Sequence, residues 1–408
     1  MIAAVRKKGQ TDIEIAMRVS PRVGKKITPK QLGFSDSQYE IIFLSEMPNL
    51  KSAYRHESPF PVVAGLPIVE GKVIPKYQRV AMISSWDVAC GIAEYSRELL
   101  RWIEKADIIP IPQLTNFDDS KYDIIHIQYE PGLFKYSQMI LWDLVRKWKD
   151  AGKVIILTAH YYDDWLGEVL SHYLNHVIAH NRQFSNKENH SYLIQGCPFF
   201  AEISQKDARE KLGLPLGAKI LMSFGFIMRW KQLDFVFSHF CPFIRGKNIF
   251  LQLLHSFHHR DIEEGERIKK AFKLLLEKHG LNEQVFVSHD FLNKEEINLR
   301  MQASDLGFLW KGTAISRGSS AVSKEYVAGR CPLVACQIPH YSDLWRGIEF
   351  VSPDIDIDDF CQKVIETLDD DKKLQSLRQE QEWNYENINY QKIGQWHMRL
   401  YNELLERK

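Results

Sequence analysis

Two cations stand two residues apart in the run SFGFIMRWKQLDF: Arg229 and Lys231 follow a short apolar stretch of strand character and precede one of helical character. A strand that ends in cations at the start of a helix brings side-chain charge and the positive end of the helix dipole to one point, which suits a diphosphate. Gly225 sits in the same strand-end turn. Further on, Gly318, Ser319 and Ser320 precede a helix beginning near Ala321, with free backbone N–H groups and two hydroxyls. Such a run binds an anion or, for a single serine, caps the helix. Glu325 lies about one and a half turns into that helix, where its carboxylate either accepts from ribose-like hydroxyls or is solvated.

Other strand ends carry weaker signals. In SSWDVACGIAEYSREL, Gly91 precedes a helix and either lets the backbone approach a ligand or makes a plain strand-to-helix turn. HIQYEPGLF ends a buried strand with Gln128 and Glu130, as cleft groups or as an ordinary polar loop. VIILTAH ends with His160, whose neutral imidazole either hydrogen-bonds at a cleft or is satisfied structurally. His172 and His176 have the i, i+4 spacing that chelates a metal on a helix face, but no glutamate follows His172 in the metalloprotease manner. HSFHH (His255 to His259) has no carboxylate or cysteine at ligand spacing, so the expectation is no metal. The six cysteines contain no CxxC pair, which argues against a zinc ribbon or a disulfide framework.

The elements that must position these residues show a rhythm from Arg79 onward. RVAMIS, IIPI, YDIIHIQ, VIILTAH and HVIAH read as strands, with IAEYSRELLRWIEK and MILWDLVRKWKDAG as helices between them; strand and helix in alternation mean parallel βαβ units. The polar passage Phe184 to Lys219 interrupts the pattern. It restarts at KILMSFGF and runs through NIFLQLLH, ERIKKAFKLLLEKHG, QVFVSH, EEINLRMQAS, DLGFLW, SAVSKEYVAGR and PLVACQ to IEFVS, followed by three helical stretches. The expected fold class is α/β, with two Rossmann-like domains, residues 79–205 and 206–385, and a last helix over 386–408. Residues 1–78 form an accessory segment without repeating rhythm, apart from a hairpin expected over Pro59 to Pro75. Neither GxGxxG nor GxxxxGK[ST] occurs, which disfavours an ordinary dehydrogenase or P-loop NTPase.

Over 408 residues, 53 Lys and Arg balance 52 Asp and Glu, and 45% of residues are hydrophobic, which excludes a disordered tail protein and a wholly basic nucleic-acid coat. The longest apolar runs fall far short of the roughly 20 residues of a membrane span. Arg6, Lys7 and Lys8 break any signal-peptide core, so the chain reads as cytoplasmic. The first thirty residues are locally basic, either a solvated surface or a candidate contact with anionic lipid at the membrane's inner face or with a partner.

Taken in order, WDVACGIAEYSREL, HIQYEPGLF, LTAH, GFIMRWKQLD and SSAVSKEYVAGRCPLVA resemble the retaining glycosyltransferases of the GT-B fold, family 4, over about four fifths of the chain. The resemblance implies two Rossmann-like domains facing a cleft, with the C-terminal helix crossing back to the first. It implies transfer of a sugar from a nucleotide-diphosphate sugar to a glycan or glycolipid acceptor with retention, in polysaccharide or glycoconjugate biosynthesis, without a metal or other cofactor. Under it Gly91 resembles the glycine that touches the donor, His160 the histidine near the reacting carbon, and Lys231, with Arg229, the diphosphate cations. Glu325 is similar to the ribose glutamate. Gly225, Ser319 and Ser320 fall on the donor side, and Gln128 and Glu130 on the acceptor side. The chain departs from the family at Arg317, where relatives commonly carry a second glutamate, and in the closeness of Arg229 to Lys231; the Gly-Ser-Ser run resembles a subgroup that places serine beside the diphosphate. A non-catalytic scaffold and a nucleotide-sugar epimerase of the same fold are the alternatives.

Overall fold

The computed structural model describes residues 2–7, 13–18, 39–43, 72–161, 170, 172–180, 189–258, 261–312, 318–341, 343–344 and 346–408. Arg317 and most of the hairpin expected over Pro59 to Pro75 lie outside them. Near the start, β1 (Ile2–Lys7) pairs antiparallel with β2 (Ile13–Arg18) and β3 (Tyr39–Phe43). These strands were not expected. The period-two alternation of Ile13, Ile15 and Met17 is their signal, but six residues of it between charged neighbours do not make a repeating rhythm.

The first large sheet contains β4 (Val80–Ser84), β5 (Ala106–Pro110), β6 (Ile124–Tyr129), β7 (Val154–Ala159), β8 (His176–Ala179) and β9 (His190–Tyr192), all parallel, in the order β5-β4-β6-β7-β8-β9. Every residue of β4, β6 and β7 is buried, which is why these strands read as continuous apolar runs. Helix α1 (Gly91–Leu100) follows β4, and α2 (Gln138–Asp150) follows β6. His176 opens β8, so the spacing from His172 is not that of a helix face, and its Nε2 lies 2.9 Å from Ser191 Oγ.

After α3 (Gln205–Leu212), the second sheet holds β10 (Lys219–Phe224), β11 (Ile249–Leu254), β12 (Val285–Ser288), β13 (Leu306–Leu309), β14 (Leu333–Cys336) and β15 (Ile348–Val351), parallel in the order β12-β11-β10-β13-β14-β15. Its helices are α4 (Leu233–Ile244), α5 (Ile262–His279), α6 (Lys294–Ala303), α7 (Ala321–Ala328) and α8 (Ile357–Asp369), with α9 (Asp371–Ile388) packed on α7. The last helix, α10 (Tyr390–Glu406), returns to the first domain: its Gly394 closes on Trp102, and Tyr401 reaches into the first sheet. The two passages between domains pair where they cross, Cys197 N donating to Ile388 O at 2.9 Å and Tyr390 N to Cys197 O at 3.2 Å. One apolar cluster runs from the first sheet through Leu193, Ile194, Ile388 and Tyr390 into the second. This is the GT-B arrangement of two Rossmann-like domains with a returning helix.

In both sheets the chain leaves one central strand toward one edge and later fills the other side: β4 and β6 part in the first, β10 and β13 in the second. Loops at such a switch point splay and open a crevice at the carboxyl ends of the strands. No helix among the described residues is long and apolar enough to cross a membrane.

Candidate functional site

A cavity of about 600 Å3 opens between the carboxyl ends of the two sheets, within the range of small-ligand sites. Its second-domain wall begins where β10 ends. Gly225 has φ +124°, and a Cβ there would lie 2.9 Å from Val322 Cγ2 and 3.0 Å from Lys231 Nζ, so only glycine fits. A single 3-10 turn, Arg229–Lys231, then carries the Lys231 side chain back over Gly225. The Lys231 ammonium makes no hydrogen bond or ion pair with a described residue, sits 5.8 Å from the Trp230 ring, and is pushed down to about 8 by desolvation.

The first turn of α7 faces it. Ser320 caps the helix, its hydroxyl accepting from Ser323 N at 3.4 Å, and Ala321 and Val322 line the cavity with N–H groups that have no intrahelical acceptor. Across the cleft α1 begins at Gly91 with no side-chain cap, and a Cβ at Gly91 would lie 4.0 Å from Ala321 Cβ. Two helix N-termini, one from each domain, therefore point at one space beside a cation that has no ion-pair partner among the described residues. That field suits a dianion. Deeper in the wall, Glu325 keeps Oε2 buried with no hydrogen-bond partner among the described residues. Burial raises its carboxyl to about 7, with Lys294 opposing the shift and Glu94 adding to it. At the far side Phe226 and Phe291 stack with ring centroids 5.8 Å apart, a flat apolar surface of the kind a planar base covers.

The wall thus brings together Gly91, Gly225, Lys231, Ser320 and Glu325 of the residues picked out in the sequence. The others lie elsewhere. Arg229 is exposed outside the cavity, because the 3-10 turn points alternate side chains in different directions. Ser319 belongs to a buried network: its Oγ accepts from Lys324 Nζ at 2.9 Å and lies 2.5 Å from Asp343 Oδ2 and 3.2 Å from Gln195 Oε1. Glu130 caps its own turn, Oε2 accepting from Leu133 N at 3.0 Å, the polar-loop alternative. Gln128 is fully buried behind the cleft, not on its acceptor face. His160, half-buried at the end of β7, stands behind the wall with its ring edge-on to Tyr95 at 4.8 Å, and Tyr95 lines the cavity.

Sequence reading missed the wall's acidic side. Glu94 and Glu98 of α1 meet Lys294, the first residue of α6 in the other domain; Lys294 Nζ is 3.7 Å from Glu94 Oε2 and paired with Glu98. The i, i+4 acids after Gly91 were the only local trace of this, and their partner is remote in sequence.

No family model and no curated protein matches the chain. Solved structures do match. HepE of Anabaena, determined in complex with UDP and glucose, aligns at a TM-score of 0.63 and 12% identity, over 80% of this chain and 100% of that one. Sucrose-phosphate synthase from Thermosynechococcus elongatus aligns at 0.61 and 17%, over 81% and 100%. An alpha,alpha-trehalose-phosphate synthase (UDP-forming) from Burkholderia xenovorans, in complex with glucose-6-phosphate, aligns at 0.57 and 12%, over 80% and 100%. At these identities the likeness is one of fold.

Proposed function

We propose that this chain is a glycosyltransferase that moves a sugar from a nucleoside-diphosphate sugar to an acceptor hydroxyl with retention at the anomeric carbon, in the making of a polysaccharide or glycoconjugate. The observation that carries the reading is Lys231: a desolvated ammonium, without an ion-pair partner among the described residues, against Gly225 and facing the N-termini of α1 and α7. The likeness in fold to enzymes solved with UDP or a sugar phosphate supports it. In this reading residues 79–205 receive the acceptor, residues 206–385 hold the donor, and the chain works in the cytoplasm.

Lys231 and the two helix N-termini offset the charge that grows on the departing diphosphate, the task a metal ion performs in other transferases. The bond from the anomeric carbon to the phosphate oxygen breaks and the acceptor oxygen bonds to the same face. The acceptor proton passes to the departing phosphate, so no protein nucleophile is required. Glu325 receives the ribose hydroxyls and the Phe226–Phe291 surface the base.

Calorimetric titration with UDP, GDP, ADP and dTDP tests the reading. One of them should bind wild type, and Lys231→Ala should abolish or weaken that binding severely. Equal affinity in the variant, or no binding of any of the four, would overturn the assignment. With the donor known, the anomeric proton coupling of the product reports retention, and turnover in excess EDTA reports whether a metal takes part.

A further inference from the structure

On β6 the residues Ile124, His126 and Gln128 alternate onto one face, and His126 and Gln128 are both completely buried. Two polar side chains in the centre of a parallel sheet are costly unless every polar atom is met. Here the contacts form a chain. His126 Nδ1 is 2.6 Å from the Tyr401 hydroxyl of the returning helix, and its Nε2 is 2.7 Å from Thr158 Oγ1. Gln128 Nε2 is 3.3 Å from His126 Nε2, and Gln128 Oε1 is 2.9 Å from His160 Nε2. The chain ends at the ring that stands edge-on to Tyr95 in the cavity wall.

An amide oxygen accepts and cannot donate, so the His160 nitrogen that faces it carries the proton. The amide takes that orientation when its other end donates to an unprotonated His126 Nε2, which places the His126 proton on Nδ1, toward the Tyr401 hydroxyl. We infer that Gln128 is a positioning residue that fixes the His160 proton on Nε2 and leaves the lone pair on Nδ1. Burial holds the His160 imidazole well below its usual pKa, with the neighbouring His180 adding to the effect, so the ring is neutral and Nδ1 is its only acceptor. Any part that lone pair plays toward a sugar rests on the transferase reading; the location of the proton does not.

The test is nuclear magnetic resonance of the full chain labelled with 15N-histidine, the His160 signals being those lost in His160→Asn. Wild type should show a single ring proton, on Nε2, protected from exchange by its bond to Gln128. In Gln128→Met, close in volume and unable to accept, exchange of that proton should accelerate at least tenfold, with the far-ultraviolet spectrum of the protein unchanged. Gln128→Glu restores an acceptor and should restore the protected proton. A wild-type proton on Nδ1 overturns the inference without any variant, and so does a Met variant whose Nε2 proton stays protected. Because no substrate enters this measurement, its failure is separate from failure of the transferase reading, which the nucleotide titration decides.

Discussion

At the scale of single residues the site turns on one ammonium. Lys231 at about 8 is charged below that pH and increasingly neutral above it. A diphosphate binds the charged form, so the complex raises the lysine pKa and takes up a proton where the free protein lacks one. Nucleotide affinity should therefore fall roughly tenfold per unit of pH above about 8. Calorimetry in buffers of different ionisation enthalpy should register that uptake. Lys231→Arg, which stays charged, should flatten the profile, and a lysine enzyme with no pH dependence up to 9.5 would place the anion elsewhere. In turnover, Lys231→Ala should cost about 2 to 4 kcal/mol of transition-state stabilisation, read as a fall in kcat/KM. Lys231 was legible in the sequence because what makes it special is local: it follows a strand and precedes a helix. Arg229 carries the same local signature and yet points away, since the direction of a side chain in a 3-10 turn cannot be read from spacing. Ser319 and Gln128 were legible as polar residues at strand and helix ends, but their actual partners, Asp343 and His160, come from other elements.

At the scale of elements the two helix N-termini are the device, and Gly225 is what lets α7 approach. Gly225→Ala places a methyl against Val322 and the Lys231 ammonium at a φ of +124°, a backbone strain of about 1 to 3 kcal/mol. In the proposed reading the affected atoms are those that meet the phosphates, so nucleotide affinity should drop at least tenfold while circular dichroism remains that of the parent. Unaltered affinity would show that the α7 N-terminus does not touch the ligand. Ser320→Ala is the contrasting change: it removes a helix cap, at about 1 kcal/mol, and should lower the melting temperature more clearly than the affinity. Most of the elements themselves were visible in the sequence. Parallel strands buried on both faces must be apolar throughout, and the intervening amphipathic runs then declare the βαβ order. Helix α1 was expected to reach Lys105 and ends at Leu100, where the chain turns sharply and Lys105 takes a positive φ to enter β5.

At the scale of the whole molecule the question is what holds the two domains at this separation. The paired passages at Cys197 and Tyr390 form a tight pivot, with Gly196 closed against the Tyr390 ring. Across the mouth the tie is electrostatic: Lys294 of the second domain lies between Glu94 and Glu98 of the first, with Glu98 buried and also bound by Arg101 at 2.9 Å. No sequence pattern could show this pairing, because it exists only once the domains have docked. In the proposed reading the donor enters the cleft that this tie spans. Lys294→Ala removes the cation and leaves Glu94, Glu98 and Glu325 facing one another, which favours separation. Lys294 is partly exposed, so its loss should shift the open–closed balance by about 1 to 2 kcal/mol, below the 3 to 5 typical of a fully buried pair. The nucleotide-free variant should then give a larger radius of gyration in small-angle scattering than wild type. Saturating nucleotide should return it to the wild-type value, because in the proposed reading the two helix N-termini grip the diphosphate from opposite domains and close the cleft independently of Lys294. A radius identical to wild type without nucleotide would mean that the pivot and the apolar cluster through it, and not the tie, set the distance between the domains.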